Sequence, residues 1–408
     1  MLYRELHEEL KLFFENPTEK LTDPKLNLRK QTETLVSASA NDLLHGSANL
    51  QCISHDHQFD KKEADLRLFG WESIDAFDYE IAGNKEFTYT IIQRNDVEKA
   101  EGVLLFYHGL NEKKWDKYLP WAYELAQKTN KAIILFPIAY HMNRAEDAWS
   151  DRRKMVEISK LRTQNNPNNS DSSFVNAAIS ARLEAHPQRI FWSGFQTYSD
   201  TIQVIEKIQN GDFDGINTEA KIDLFGYSIG SFLSIILLMA NPKKLFTNAR
   251  LFCFCGGMTI DRMFPISKYI MDAQAAIAMQ KSFAELLSTD FRNDPRLGHF
   301  QNSELHPDES WFKMMLRYNF FQKERETRLE ELQHQIKAYV LEKDEVAPPI
   351  EALNTLQGGY RTLKTSVEVV DFPFDYSHMV PFPLTKKDEQ EINEAFEHFI
   401  NSAIDFYR

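Results

Sequence analysis

The sequence predicts an α/β fold with a mostly parallel central sheet flanked by helices, and three observations carry that expectation. Short apolar runs recur at residues 102–107, 131–137, 250–255 and 335–341. Each reads as a strand buried on both faces, and helical patterns lie between them. The stretch Lys221-Ile222-Asp223-Leu224-Phe225-Gly226-Tyr227-Ser228-Ile229-Gly230 runs as a strand into a Gly-x-Ser-x-Gly turn and leaves as the apolar helical segment 231–238. So sharp a turn crowds the chain on both sides of the serine, and Gly226 and Gly230 remove the Cβ atoms that would clash. The Ser228 hydroxyl then stands at the tip, above a helix N-terminus whose free N–H groups favour negative charge. Finally, chemically active side chains follow the strand ends: Asp344 comes after a later run and His378 after the last one.

Taken in order, Leu2, Leu6, Leu10, Phe13 and Phe14 recur at helical spacing. Residues 1–72 are otherwise polar and mixed, and read as an N-terminal helical extension packed on the core. Within them His55-Asp56-His57 reads as a solvated loop rather than a metal site. Phe77, Tyr79 and Ile81 alternate, Gly83-Asn84 supplies a turn signal, and alternation resumes from Phe87 to Ile92, which predicts a β-hairpin. Residues 73–257 are thus the expected first part of the core. Inside it, 139–175 read as a loop excursion on the strand-end rim, the face where α/β sheets bind ligands, and 201–209 as a helix ended by Gly211. Residues 258–335 are helical in pattern and rich in methionine and aromatic residues, which predicts a helical cap insertion, some of whose side chains line an apolar pocket. Residues 336–408 complete the core, with a last strand at 367–372 and an amphipathic helix over 386–406.

With 408 residues, 43% of them hydrophobic, the chain can bury a large core as one domain with insertions or as two. The formal net charge of −13 argues against nucleic acid as a partner, because phosphates repel such a surface. Cys253 and Cys255 share one face of a strand and read as small buried hydrophobes; Cys52 is the third cysteine. Three cysteines give neither a disulfide framework nor metal ligands at defined spacing, so no metal and no cofactor is expected. No run reaches the roughly 18 apolar residues of a membrane helix. The acidic, amphipathic residues 1–10 are unlike a secretory signal, so a cytoplasmic location is expected. The oligomeric state is left open.

A serine hydroxyl is a poor nucleophile at neutral pH. It needs a neighbouring base, and the base needs a third group to fix its tautomer and stabilise its charge. The chain order Ser228, Asp344, His378 is that of α/β-hydrolases. On Gly226-Tyr227-Ser228-Ile229-Gly230, His108-Gly109, Lys343-Asp344-Glu345-Val346 and Ser377-His378, the sequence resembles the α/β-hydrolase superfamily of esterases, lipases and peptidases over residues 74–256 and 336–408. That resemblance implies Ser228 as nucleophile, His378 as general base and then acid, and Asp344 as the group orienting His378; Glu342, Glu345 and Asp375 compete for the last role. It also implies an oxyanion hole from the backbone N–H groups of Ile229 and Leu110, such donors contributing about 3–4 kcal/mol each to a transition state. The turn His108-Gly109-Leu110-Asn111 lacks the triple glycine of the lipase-type hole, so Asn111 is an alternative donor. His108 is expected to buttress its loop. His141 and Arg144 follow a strand end and are candidates for binding a substrate carboxylate, with ordinary salt bridging as the alternative; Tyr227, His108 and Asn111 are further candidates for contacting substrate. The function so implied is cleavage of a carboxylic ester or related acyl bond in a small-molecule substrate. A peptidase or thioesterase with the same triad, or a non-catalytic ligand-binding protein on this fold, are the alternatives.

Overall fold

The computed structural model describes residues 1–47, 49–60, 74 and 76–408. Its strands are β1 (Lys20–Asp23), β2 (Leu28–Val36), β3 (Gln51–Cys52), β4 (His57–Gln58), β5 (Glu86–Arg94), β6 (Ala100–Tyr107), β7 (Ala132–Leu135), β8 (Ile216–Tyr227), β9 (Leu251–Phe254), β10 (Ile336–Leu341) and β11 (Ser366–Val370). β3 and β4 form a small antiparallel hairpin, and the other strands form one sheet in the order β1-β2-β5-β7-β6-β8-β9-β10-β11. From β7 to β11 every neighbouring pair is parallel; β5, β2 and β1 join antiparallel at one side.

Parallel neighbours need crossover connections, and these lay helices on both faces of the sheet. Alternate residues of each strand serve alternate faces. Leu104 and Phe106 join Phe225, Tyr227 and Phe252 beneath the helices Tyr3–Glu15, Leu119–Thr129 and Glu389–Tyr407. Val103, Leu105 and Tyr107 join Leu224, Leu251 and Cys253 beneath Arg189–Gln209 and Ile229–Ala240. The helix Ile229–Ala240 is buried along its whole length. It lies between the sheet and a further set of helices, Ala273–Ser288, Pro295–Phe300, Trp311–Met314 and Gln322–Leu332, which the chain forms between β9 and β10. That position explains why it is apolar on every side. The mostly parallel, helix-flanked sheet and the sharp turn from β8 into its helix make this an α/β-hydrolase fold.

Several expectations change. The hairpin over 77–92 does not form: its first arm folds as the single turns Asp78–Glu80 and Ala82–Lys85, and only the second arm is a strand, β5, whose partner is β2. The cause is Asp78, whose fully buried carboxylate meets Arg182 at 2.7 Å and Arg189 at 3.2 Å and so turns the chain inward. Residues 1–72 are more than a helical extension, because β1 and β2 belong to the main sheet. Apolar patterning misses β2 because its middle is polar, Arg29 to Thr34, with Leu28 and Leu35 as its buried apolar ends. The expected boundary at 72 lies outside the described residues. Residues 139–175 are not a bare loop, since they carry the helix Arg152–Asn165 and lead into Ala177–Ala185. The helix expected at 201–209 begins earlier, at Arg189. No helix among the described residues is long and apolar enough to cross a membrane.

Candidate active site

β8 ends at Tyr227 and the next helix begins at Ile229, which leaves Ser228 alone in the turn at φ 55° and ψ −118°. That conformation is strained for a residue with a Cβ and persists only where its surroundings hold it. Here Ser228 N–H donates to the Phe254 carbonyl at 3.0 Å, and Ser231 N–H donates to the Ser228 carbonyl at 2.9 Å. The flanking glycines answer to close approach. A Cβ on Gly226 would lie 2.5 Å from Ser231 Cα, and one on Gly230 would lie 2.5 Å from the Tyr107 carbonyl oxygen.

Three strand ends bring their side chains together. His378 Nε2 lies 2.9 Å from Ser228 Oγ, and His378 Nδ1 lies 2.7 Å from Asp344 Oδ2. An ionised carboxylate can only accept, so Nδ1–H donates to Asp344 and Nε2 is left to accept from the serine hydroxyl. The other carboxylate oxygen, Oδ1, accepts from the N–H of Val346 at 2.9 Å and of Ala347 at 2.8 Å. Of the acids weighed from sequence, Asp344 is therefore the one facing His378. All three side chains are buried. Cys255, read from sequence as a small hydrophobe, stands behind Asp344; burial pushes its thiol well up, the carboxylate adds to this, and the S–H stays protonated facing the carboxylate.

The turn carrying His108 is held from behind. His108 Nδ1–H donates to the Gly109 carbonyl at 2.8 Å, while Nε2 accepts from Ile138 N–H at 2.9 Å. Both ring nitrogens are occupied, so His108 buttresses the turn and has no free valence for substrate. Gly109 N–H donates to Tyr118 Oη at 2.9 Å, and Tyr118 O–H passes on to Glu112 at 3.0 Å. Lys117 pairs with Glu112 and donates to the Met379 carbonyl at 3.3 Å, which ties this turn to the loop bearing His378. Tyr118 and Lys117 were not singled out from the sequence, because neither lies in a motif. Leu110 and Ile229 line the same cavity as Ser228. Ile229 N–H, at the first helical position, has no intrahelical acceptor.

Other sequence candidates are placed elsewhere. Asn111 spends its side-chain amide on the carbonyls of Val175 at 3.1 Å and Tyr269 at 2.7 Å, so its side chain tethers two loops. Tyr227 is buried and donates to the His378 carbonyl, with its ring stacked on the imidazole at 5.4 Å between centroids; it positions His378 and does not line the cavity. Arg144 is fully buried, pairs with Asp200 at 2.6 Å, donates to the Pro137 carbonyl at 3.1 Å and stacks 3.8 Å over Phe87. It is a core ion pair, out of reach of a substrate carboxylate. His141 Nδ1–H donates to the Ala139 carbonyl at 2.9 Å, and burial holds the ring neutral, its pKa pushed down to about 4. With Leu110 and Asn111 it lines a separate small cavity of about 50 Å³.

The cavity at Ser228 measures about 560 Å³. Met263, Ile270, Met271, Ala276 and Met279 furnish most of its far wall, and Phe264, Ile266 and Ile277 stand exposed at its mouth. Asp261, a charged residue on the wall, already accepts from Thr259 Oγ1 at 2.7 Å and Tyr318 N–H at 3.0 Å. The other methionines and aromatics of this region, among them Met258, Phe283, Phe312 and Met315, are core packing.

The whole chain, residues 1–408, matches the model of a family of unknown function, DUF6051. The chain belongs to that family. No curated protein matches the sequence of this DUF6051 member. Among solved structures it is similar to carboxyl esterase 2 from the mycorrhizal fungus Tuber melanosporum, at 11% identity over 79% of this chain and 81% of that one, with a TM-score of 0.40. It is also similar to a thermostable esterase from Pseudomonas putida, at 13% identity over 76% of this chain and 77% of that one, with a TM-score of 0.37. A protein described as a dipeptidyl aminopeptidase IV from Bacteroides ovatus matches at 10% identity over 77% of this chain, with a TM-score of 0.39; the match spans 33% of that protein's length.

Proposed function

We propose that this chain is a serine hydrolase that cleaves a carboxylic ester or related acyl bond, with the acyl group seated in the apolar cavity beside Ser228. The observation that carries the reading is the continuous hydrogen-bonded series Ser228, His378, Asp344 opening onto that cavity. In this reading Ser228 Oγ attacks the carbonyl carbon while His378 Nε2 takes its proton. Asp344 remains ionised and stabilises the imidazolium. The carbonyl oxygen, now negative, lies against the N–H groups of Ile229 and Leu110, each donor contributing about 3–4 kcal/mol to the transition state. Collapse breaks the bond to the leaving group, which takes the proton back from Nε2, and the acyl group remains on Ser228. Water then repeats the sequence, and the carboxylic acid leaves.

The helices between β9 and β10 act in this reading as a cap that shapes the acyl site. The mainly apolar wall favours an apolar acyl group. The test is a series of p-nitrophenyl esters of increasing acyl length, run on the wild-type chain and on Ser228→Ala. Turnover by the wild type that the variant lacks by four or more orders of magnitude supports the reading. Binding of the esters without turnover by either protein favours the non-catalytic alternative.

A further inference from the structure

Away from Ser228, the hairpin β3–β4 brings a second set of reactive side chains together. The turn Ile53–His55 and a left-handed Asp56 fold the chain back, so that Cys52 Sγ lies 3.4 Å from His55 Nδ1. Against this hairpin packs the helix Pro295–Phe300, which carries His299, and the loop after it, which carries His306. Cys52 Sγ is also 3.4 Å from His306 Nε2. One donor atom from each of Cys52, His55, His299 and His306 lies within 4.8 Å of the other three.

As free side chains these four satisfy one another poorly. A thiol has a single weak S–H, yet two ring nitrogens face it at 3.4 Å. His299 Nε2 is buried with no hydrogen-bond partner. One cation at the centre would meet all four lone pairs at once. Zn–N bonds of about 2.0–2.1 Å and a Zn–S bond of about 2.3 Å place tetrahedral ligand atoms roughly 3.3–3.7 Å apart, so the two sulfur–nitrogen separations already match a bound metal. The outer contacts match as well. His306 Nδ1–H donates to Glu309 Oε2 at 3.3 Å, which turns Nε2 inward, as a carboxylate does behind a metal-bound histidine. His57 stacks on His299 at 4.8 Å and 11°, which fixes that ring from outside.

We propose that Cys52, His55, His299 and His306 form a tetrahedral metal site, with Zn²⁺ the ion that this one-thiolate, three-imidazole set suits. Four protein ligands leave no open position, so the site is structural. None of the four lines the cavity at Ser228. The site joins an early hairpin to the segment that follows the cavity-lining helix Ala273–Ser288, two stretches more than 240 residues apart in sequence. His55-Asp56-His57, read from sequence as a solvated loop, thus supplies one ligand and one stacking ring; its partners could not be seen because two of them lie so far along the chain.

The test uses the full-length protein, stripped with a chelator, dialysed and titrated with Co²⁺. The expected result is the intense visible absorption of a tetrahedral site with a thiolate-to-metal band in the near ultraviolet, saturating at about one equivalent and bleached by Zn²⁺. Cys52→Ser is expected to abolish the thiolate band. His306→Asn should weaken metal binding tenfold or more, whereas His57→Asn, outside the ligand set, retains it. Protein purified without chelator is expected to hold about one zinc per chain by elemental analysis and to unfold at a higher temperature than the stripped form. If a variant fails to fold, the wild-type titration decides alone. A stripped wild type that is folded by circular dichroism, yet gives only the weak spectrum of octahedral Co²⁺ or none, overturns the proposal.

Discussion

The strand-end site and the helical layer above it are held by different forces. At the strand ends, Ser228, Asp344 and His378 hang from the ends of β8 and β10 and from the loop after β11, and their geometry is set by backbone hydrogen bonds and glycine contacts. In the helical layer the joints are buried charges. Arg162 reaches across from the helix Arg152–Asn165 to Asp272, the cap of the helix Ala273–Ser288, with paired contacts of 2.6 and 2.7 Å, and Asn169 adds a third at 3.0 Å. Asp78 gathers Arg182 and Arg189 in the same way. The contrast teaches that chemistry and access are separable here: one depends on a rigid sheet, the other on a few charge-assisted joints.

The sharpest way to probe that separation is to remove chemistry without touching structure. Ser228→Ala is expected to cost about six orders of magnitude in kcat while leaving the thermal midpoint unchanged or slightly raised, since it deletes only a hydroxyl from a strained turn. Asp344→Asn comes next, at about four orders of magnitude, because an amide in that place holds His378 in the wrong tautomer. A pH-independent loss of that size in ester assays, with normal circular dichroism, is the result to look for.

Breaking a helical joint should give the reverse pattern. Arg162→Ala leaves Asp272 buried without its main partner and is expected to cost about 3 kcal/mol of stability. Its effect on ester turnover should fall on KM for long acyl chains, with kcat for short esters within a few-fold of wild type. An equal loss of kcat for short esters would show that the two regions are not separable. Arg144→Ala, expected from sequence to change carboxylate binding, should instead lower the denaturation midpoint without altering the preference between charged and neutral esters, because Arg144 faces Asp200 in the core.

A further effect concerns acid. Burial holds His141 and His45 neutral, each pushed down to about 4, and holds His108 well below its ordinary range, with the His141 ring adding to the last. In the unfolded chain these rings titrate near about 6.5, so below that pH the unfolded state binds more protons than the folded one. Stability is therefore complete above about 6.5 and is lost progressively as pH falls towards 4. A thermal midpoint that drops by several degrees between pH 7 and pH 5 is expected; a flat profile would show that these rings are solvated.

The same contrast decides what was legible in the sequence. Strands β6, β7, β9 and β10 are runs of apolar residues buried on both faces, and the turn at Ser228 needs glycine at two fixed places, so both announce themselves locally. β2 does not, because a strand pairing through its backbone can carry polar side chains along most of its length. The expected hairpin failed at Asp78, whose burial depends on arginines more than a hundred residues away that no local pattern reveals. Of the proposed site, Ser228, Asp344 and His378 stand out by residue type and chain order. Tyr118, Lys117 and Cys255 do not, since their work is to hold other groups, and only three-dimensional proximity identifies them. Arg144 misled because a position after a strand end is as open to core ion pairs as to ligand contacts.

One measurement tests the central claim most directly: intact-mass analysis after treatment with a serine-directed fluorophosphonate. A hydroxyl activated by His378 should gain a single covalent adduct on Ser228, and Ser228→Ala should gain none. A wild-type chain that stays unmodified under these conditions while turning over no ester, or an adduct that persists in Ser228→Ala, would contradict the account.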